Sequence, residues 1–162
     1  VYGLFGFIVF VNGMHFGNSL IAGILTLAIM VLPVIMRTSQ EALLAVPASY
    51  REGSYALGAG KLRTVFKVVL KSAMPSIMSG VILSVGRIVG ETAALIYTAG
   101  TIPKVAAGLQ SSGRTIAVHM YSLMSEGLYM DEAYAAAVVL LIIVIVINML
   151  SNLLVKKAEK NE

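Results

Sequence analysis

Cysteine is absent from this 162-residue chain. That excludes disulfides, thiolate metal sites and a cysteine nucleophile, and it leaves the redox compartment unreadable. Charge is scarce too: Asp, Glu, Lys and Arg make up 12% of residues against 58% hydrophobic ones, where a soluble domain carries about a quarter charged. A water-soluble fold is not expected from that balance. The chain also lacks a starting Met, opening on Val1, and no basic segment precedes its first apolar stretch, Val1 to Val11. A secretory signal is therefore not expected there; the stretch is expected to be the tail of a span cut by N-terminal truncation. Histidine is limited to His15 and His119, which stand apart without a second ligand at helical spacing. No metal is assigned.

Long apolar runs fill the space these absences leave. Leu20 to Met36 and Ala133 to Val155 are uncharged and each long enough to cross a bilayer, which takes about 20 residues. Ile77 to Ala99 is comparable except for Arg87 and Glu91. The expected fold class is an all-α polytopic membrane protein with three full spans and a partial first one. Residues 1–162 then form a single transmembrane domain, with one connecting loop at 37–74 and another at 100–132.

The net charge of +4 does not point to nucleic acid, because membrane chains gather Lys and Arg on their cytoplasmic side. Asn12 to Ser19 has no Lys or Arg, Arg37 to Met74 has six, Gly100 to Glu132 has two, and the tail from Lys156 has three. This alternation predicts that loop 37–74 and the C-terminus are cytoplasmic and that loop 100–132 is external.

The basic loop carries two S/T-x-x-E patterns, Thr38 with Glu41 and Ser49 with Glu52, separated by Pro47. They predict two capped short helices, one over Ser39 to Val46 and one from Tyr50 until Gly58 and Gly60 break it. From Lys61, apolar Leu62, Val65, Phe66, Val69 and Leu70 alternate at helical spacing with Arg63, Lys67 and Lys71. That pattern predicts an amphipathic helix along the inner membrane surface. The stretch around Gly60-Lys61 is not a nucleotide-binding loop: Tyr55 stands where glycine is required and Leu62 where Ser or Thr is.

Glu52-Gly53-Ser54, then Gly58, then Val68-Val69-Leu70 resembles, in spacing, the EAA loop of ABC importer permeases. Gly53 and Ser54 replace its usual alanines. Lys71 replaces its closing proline, and Pro75 is expected to supply the helix break instead. The longer stretches from Glu41 to Leu70 and from Gly86 to Leu95, with the opening VYGLFG and the segment Ser125 to Leu154, resemble permease subunits of phosphate importers, the A-type more than the C-type. The resemblance implies a non-enzymatic subunit in a bacterial or archaeal cytoplasmic membrane. It implies as partners a second permease subunit, cytoplasmic ATP-binding subunits that use ATP and magnesium, and an external phosphate-binding protein, alongside membrane lipid. This chain itself binds no cofactor. The coupling surface it implies runs from Tyr50 to Lys61, with Ser49, Glu52, Gly53, Ser54, Gly58 and Lys61 as its candidate residues.

Within the third span, Arg87 and Glu91 are four apart and on one helix would share a face with Gly80 and Ser84. Intramembrane charges face a bundle interior or a water-filled path. A guanidinium donates bidentately to an oxyanion, so Arg87 is the candidate phosphate contact, with Glu91 neutralising it in the empty path and Thr92 adding a hydroxyl. The competing reading is a structural ion pair. The GxxxG of Gly86 and Gly90, and the small residues Ser72, Ser76, Gly80 and Ser84, predict close helix packing. Gly108 to Ser125 is expected to form a short external helix where such permeases meet their binding protein, with Arg114 available there. Other readings of the whole chain are a permease for molybdate or sulfate, and a passive anion channel or scaffold.

Overall fold

A computed structural model describes residues 1–127 and 129–160. Leu128, in the expected external loop, and residues 161–162, in the expected cytoplasmic tail, lie outside them. Most of the described residues are helical, with no strand among them. In chain order the helices are α1 (Tyr2–Gly6), α2 (Leu20–Leu44), α3 (Ala48–Ala56), α4 (Lys61–Thr64), α5 (Leu70–Val89), α6 (Ala93–Thr98), α7 (Ile116–Glu126) and α8 (Met130–Lys160). Two π-helical segments adjoin them: Phe7–Gly13 continues α1, and Val65–Val69 joins α4 to α5. Three helical stretches, Leu20–Leu44, Lys61–Val89 and Met130–Leu153, are long and apolar enough to cross a membrane.

The spans are longer than the apolar runs suggested. α2 does not end at Met36, and no separate helix starts at Ser39. Thr38 sits inside the helix, its hydroxyl donating to the carbonyls of Val34 and Ile35 at 3.1 Å. Glu41 pairs with Arg37 across one turn at 3.0 Å instead of closing a cap. Such an exposed i, i+4 pair supports the helix by only a few tenths of a kcal/mol, but nothing in the sequence opposes continuation before Pro47. Likewise, Lys61 to Val89 is one helical stretch, not a surface helix followed by a span. Pro75 lies within α5 without ending it.

The chain's contacts gather into two compact units: Val1–Leu32 with Gly86–Asn148, and Pro33–Val85 with the segment from Met149 onward. In the first, α1 lies against α6 so closely that a Cβ on Gly3 would stand 2.8 Å from the Ala94 Cα, and one on Gly6 would collide with the Thr26 hydroxyl. Phe10, Val11 and Ala22 form one small core there, and Leu95, Ala99 and Val118 another. The start of α2 is buried in backbone partners. The amide of Leu20 donates to the Ser111 carbonyl and that of Ile21 to the Leu109 carbonyl, at 3.0 and 2.9 Å. Buried Ser19 accepts from the Ala22 amide at 3.4 Å. A buried amide left unpaired costs about 1–3 kcal/mol, so the long 100–113 segment is fixed by the helix end it satisfies.

In the second unit Ala42 and Val46 pack on Val69 and Ala73. A Cβ on Gly80 would meet the Thr38 hydroxyl at 2.6 Å. Small residues thus bring the end of α2 and the middle of α5 into backbone proximity, as small-residue spacing allows.

Candidate functional site

α5 stops at Val89 because its last turn tightens. The Glu91 amide bonds the Ile88 carbonyl at 3.2 Å, and Thr92 then leaves the helical region at φ −120°. Arg87 and Glu91 therefore do not ride one helix face, which corrects the stripe expected from their spacing: Gly90 ends the helix between them. Glu91 turns forward instead, and its Oε1 accepts the Ala94 amide of α6 at 3.1 Å. That carboxylate caps a helix start, where a negative charge is favoured. Thr92 spends its hydroxyl on the Gly90 carbonyl at 3.4 Å. No ion pair joins Arg87 to Glu91 among the described residues, so the neutralising contact and the structural pair expected from sequence are both missing. Gly80 and Ser84 are buried elsewhere, Ser84 donating to the Gly80 carbonyl at 2.9 Å.

Arg87 and Glu91 nevertheless line one cavity of about 300 Å³, together with residues 1–4, Met30 and Tyr97. Arg87 is exposed to that space. With Glu91 committed at one oxygen to α6, the guanidinium keeps its planar fork of donors available, the geometry that recognises oxyanions bidentately.

The second candidate region is α3 and the turn after it. Pro47 occupies the N-cap and no side chain caps this helix, which corrects the expected Ser49 and Glu52 box: the helix begins at Ala48, placing Ser49 inside the first turn, where it is exposed beside exposed Glu52 and Gly53. None of α3's residues is buried, and nine residues are too few for a helix to persist alone in water. Two side-chain tethers hold it. The Arg51 guanidinium donates to the Leu43 carbonyl in the last turn of α2 at 3.0 Å. Ser54 and Thr64 hydroxyls lie 2.9 Å apart, and because Thr64 donates onward to the Gly60 carbonyl at 3.2 Å, Ser54 is the donor between them.

Gly58 ends α3 with φ +77°. The amides of Gly58 and Ala59 return to the carbonyls of Tyr55 and Ser54 at 2.9 and 3.1 Å, the paired closure of a Schellman turn. Ser54, Leu57, Gly58, Ala59 and Arg63 line a hollow of about 270 Å³ at this turn, and Lys61 follows it, exposed.

The family described as "Binding-protein-dependent transport system inner membrane component" matches residues 2–161. The chain belongs to that family. It is 37% identical over 144 residues to the "Probable ABC transporter permease protein YqgI" of Bacillus subtilis, covering 81% of this chain and 49% of that one. It is 43% identical over 100 residues to the "Phosphate transport system permease protein PstA 2" of Mycobacterium bovis, covering 62% and 33%. To the "Phosphate transport system permease protein PstA" of Yersinia pestis it is 40% identical over 99 residues, covering 60% and 33%. The chain thus spans half or less of the length of these relatives. No solved structure matches it.

With membership of a membrane transport family and three helices long and apolar enough to cross a membrane, the chain is a multi-pass membrane protein. Arg51 and Thr64, its α3 anchors, were not legible as such: an Arg inside a basic segment reads as a topology signal, and a lone Thr carries no spacing cue. Arg114, expected at an external helix, stands just before that helix, half-buried. His15 and His119 belong to no cluster of three or more potential metal ligands among the described residues.

Proposed function

We propose that this chain is the core of a transmembrane permease subunit of an ATP-driven phosphate importer, passing phosphate along a path that includes Arg87. The observation that carries the reading is Arg87 at a cavity among the spanning helices, without a carboxylate partner among the described residues, in a chain similar to phosphate transport permeases. Intramembrane charged residues are costly, face a bundle interior or a water-filled cavity, and mark substrate or ion paths. Glu91 holds the start of α6 beside the path, and Thr92 shapes the turn between.

Coupling is assigned to α3 and its closing turn, from Ser49 through Glu52, Gly53, Ser54 and Gly58 to Lys61, as the cytoplasmic surface received by an ATP-binding partner. ATP and magnesium belong to that partner. A second permease subunit completes the path, and an external phosphate-binding protein delivers the anion near residues 100–132. The basic 37–74 region and the C-terminus face the cytoplasm, following the distribution of Lys and Arg.

The test is phosphate uptake by the full-length subunit reconstituted with its partners, at matched membrane levels. Arg87→Ala is expected to abolish uptake and Arg87→Lys to restore part of it. Equal transport by all three removes Arg87 from the path; uptake of sulfate or molybdate with phosphate ignored replaces the substrate.

A further inference from the structure

A second cavity, of about 490 Å³, lies in the first unit, between the 103–106 segment and the start of α7. Its lining includes Lys104, Arg114, Thr115 and His119, with apolar walls from Leu20 and Ile116 and no acidic residue. Among the described residues neither cation makes a salt bridge, so two positive groups bound one hollow without a counter-charge. At the start of α7 the Thr115 hydroxyl accepts from the Val118 amide at 3.3 Å and the Thr115 carbonyl from the His119 amide at 2.8 Å.

We propose that this cavity binds a phosphoryl group, held by Arg114 and Lys104. Its position fits. Leu20 begins a spanning helix, which sets the cavity at the end of the apolar layer, where lipid phosphates and dissolved phosphate are both within reach. The Arg87 cavity borders Met30 of the same helix, ten residues on, or about 15 Å at the rise of an α-helix. The two cavities are separate, so this site does not depend on the transport assignment.

The test uses the full-length subunit purified in neutral detergent and carrying Arg87→Ala, so that the other cavity does not contribute. One arm measures radiolabelled inorganic phosphate by equilibrium dialysis. The other counts phosphatidylglycerol against phosphatidylcholine retained in native mass spectrometry. Binding of either phosphate or phosphatidylglycerol is expected, weakened about tenfold or more by Lys104→Gln with Arg114→Gln, the scale of lost charge-assisted hydrogen bonds. Ala106→Phe, which adds bulk to the cavity wall and leaves both cations in place, is expected to weaken it similarly. Selective retention of the lipid names a headgroup site; phosphate alone names a free-anion site. No binding of either probe, or binding unchanged in both the double variant and Ala106→Phe, overturns the proposal.

Discussion

Two glycines show how differently one missing Cβ acts. At Gly58 a Cβ would meet nothing within 4 Å, but φ is +77°, a conformation that costs an L-residue roughly 1–2 kcal/mol. Gly58→Ala should therefore strain only the turn that closes α3, and Gly58→Pro, whose ring holds φ near −65°, should abolish it. We expect both variants to keep phosphate-independent ATP hydrolysis in the reconstituted importer while losing uptake, Pro more completely; normal uptake by the Pro variant would remove the turn from coupling. Gly6 is the opposite case, with ordinary backbone and no room beside Thr26. Gly6→Ala should lower the thermal midpoint of the purified subunit, and Thr26→Ala should recover part of the loss, because it removes the hydroxyl and methyl that the new Cβ meets. Additive losses in the double variant would show that the contact is not what excludes a side chain.

Among elements, α3 depends most on few atoms. It buries none of its own residues, so the Arg51 bond to the end of α2 and the Ser54 bond to Thr64 hold its position. Hydrogen bonds to charged groups are worth about 1.5–3 kcal/mol and neutral ones about 1. Arg51→Ala is accordingly expected to speed amide hydrogen exchange across residues 48–56 by tenfold or more, and Ser54→Ala by less; equal protection in both would refute the tethering. The elements also show where sequence sufficed. The three spans were legible because an apolar run of bilayer length has few other uses, and the break at Gly58 because glycine marks it. The helix ends were not. The polar residues from Arg37 to Glu41 imitate a helix start, yet the preceding helix runs through them. Pro75 imitates a stop, yet losing one amide does not end a span whose neighbouring turns stay bonded. Between Arg87 and Glu91 the reverse happened: a four-residue spacing implied one face, and Gly90 closed the helix before it could form. The cavity they share was not readable at all, since residues 1–4 and Met30 reach it from distant parts of the chain.

For the molecule as a whole, α8 is the least covered span: Val138, Leu141, Ile142, Ile145 and Met149 are about half exposed or more. That much contiguous apolar surface needs lipid or another helix bundle against it. Orientation can be settled directly by single cysteine reporters in the full-length subunit, to which residues 1–162 contribute no cysteine of their own. Ser49→Cys and Ser111→Cys both replace side chains outside the spans. A membrane-impermeant maleimide added to intact cells should label Cys at 111 and reach the one at 49 only after permeabilisation; the reverse pattern would invert the proposed topology.

The π-helical segment Val65–Val69 gives the sequence a place to change length. A wide turn of this kind holds one residue more than an α-helical turn needs. Deleting exposed Lys67 should let the segment relax to α-helix, while Ala73 stays against Ala42 and Gly80 against Thr38. One residue removed between Ala73 and Gly80 would instead rotate everything after it by about 100° and turn Gly80 off its contact. Insertions and deletions among related chains should therefore collect at residues 65–69 and spare α5, so that this short segment acts as the slack in an otherwise fixed reading frame of contacts.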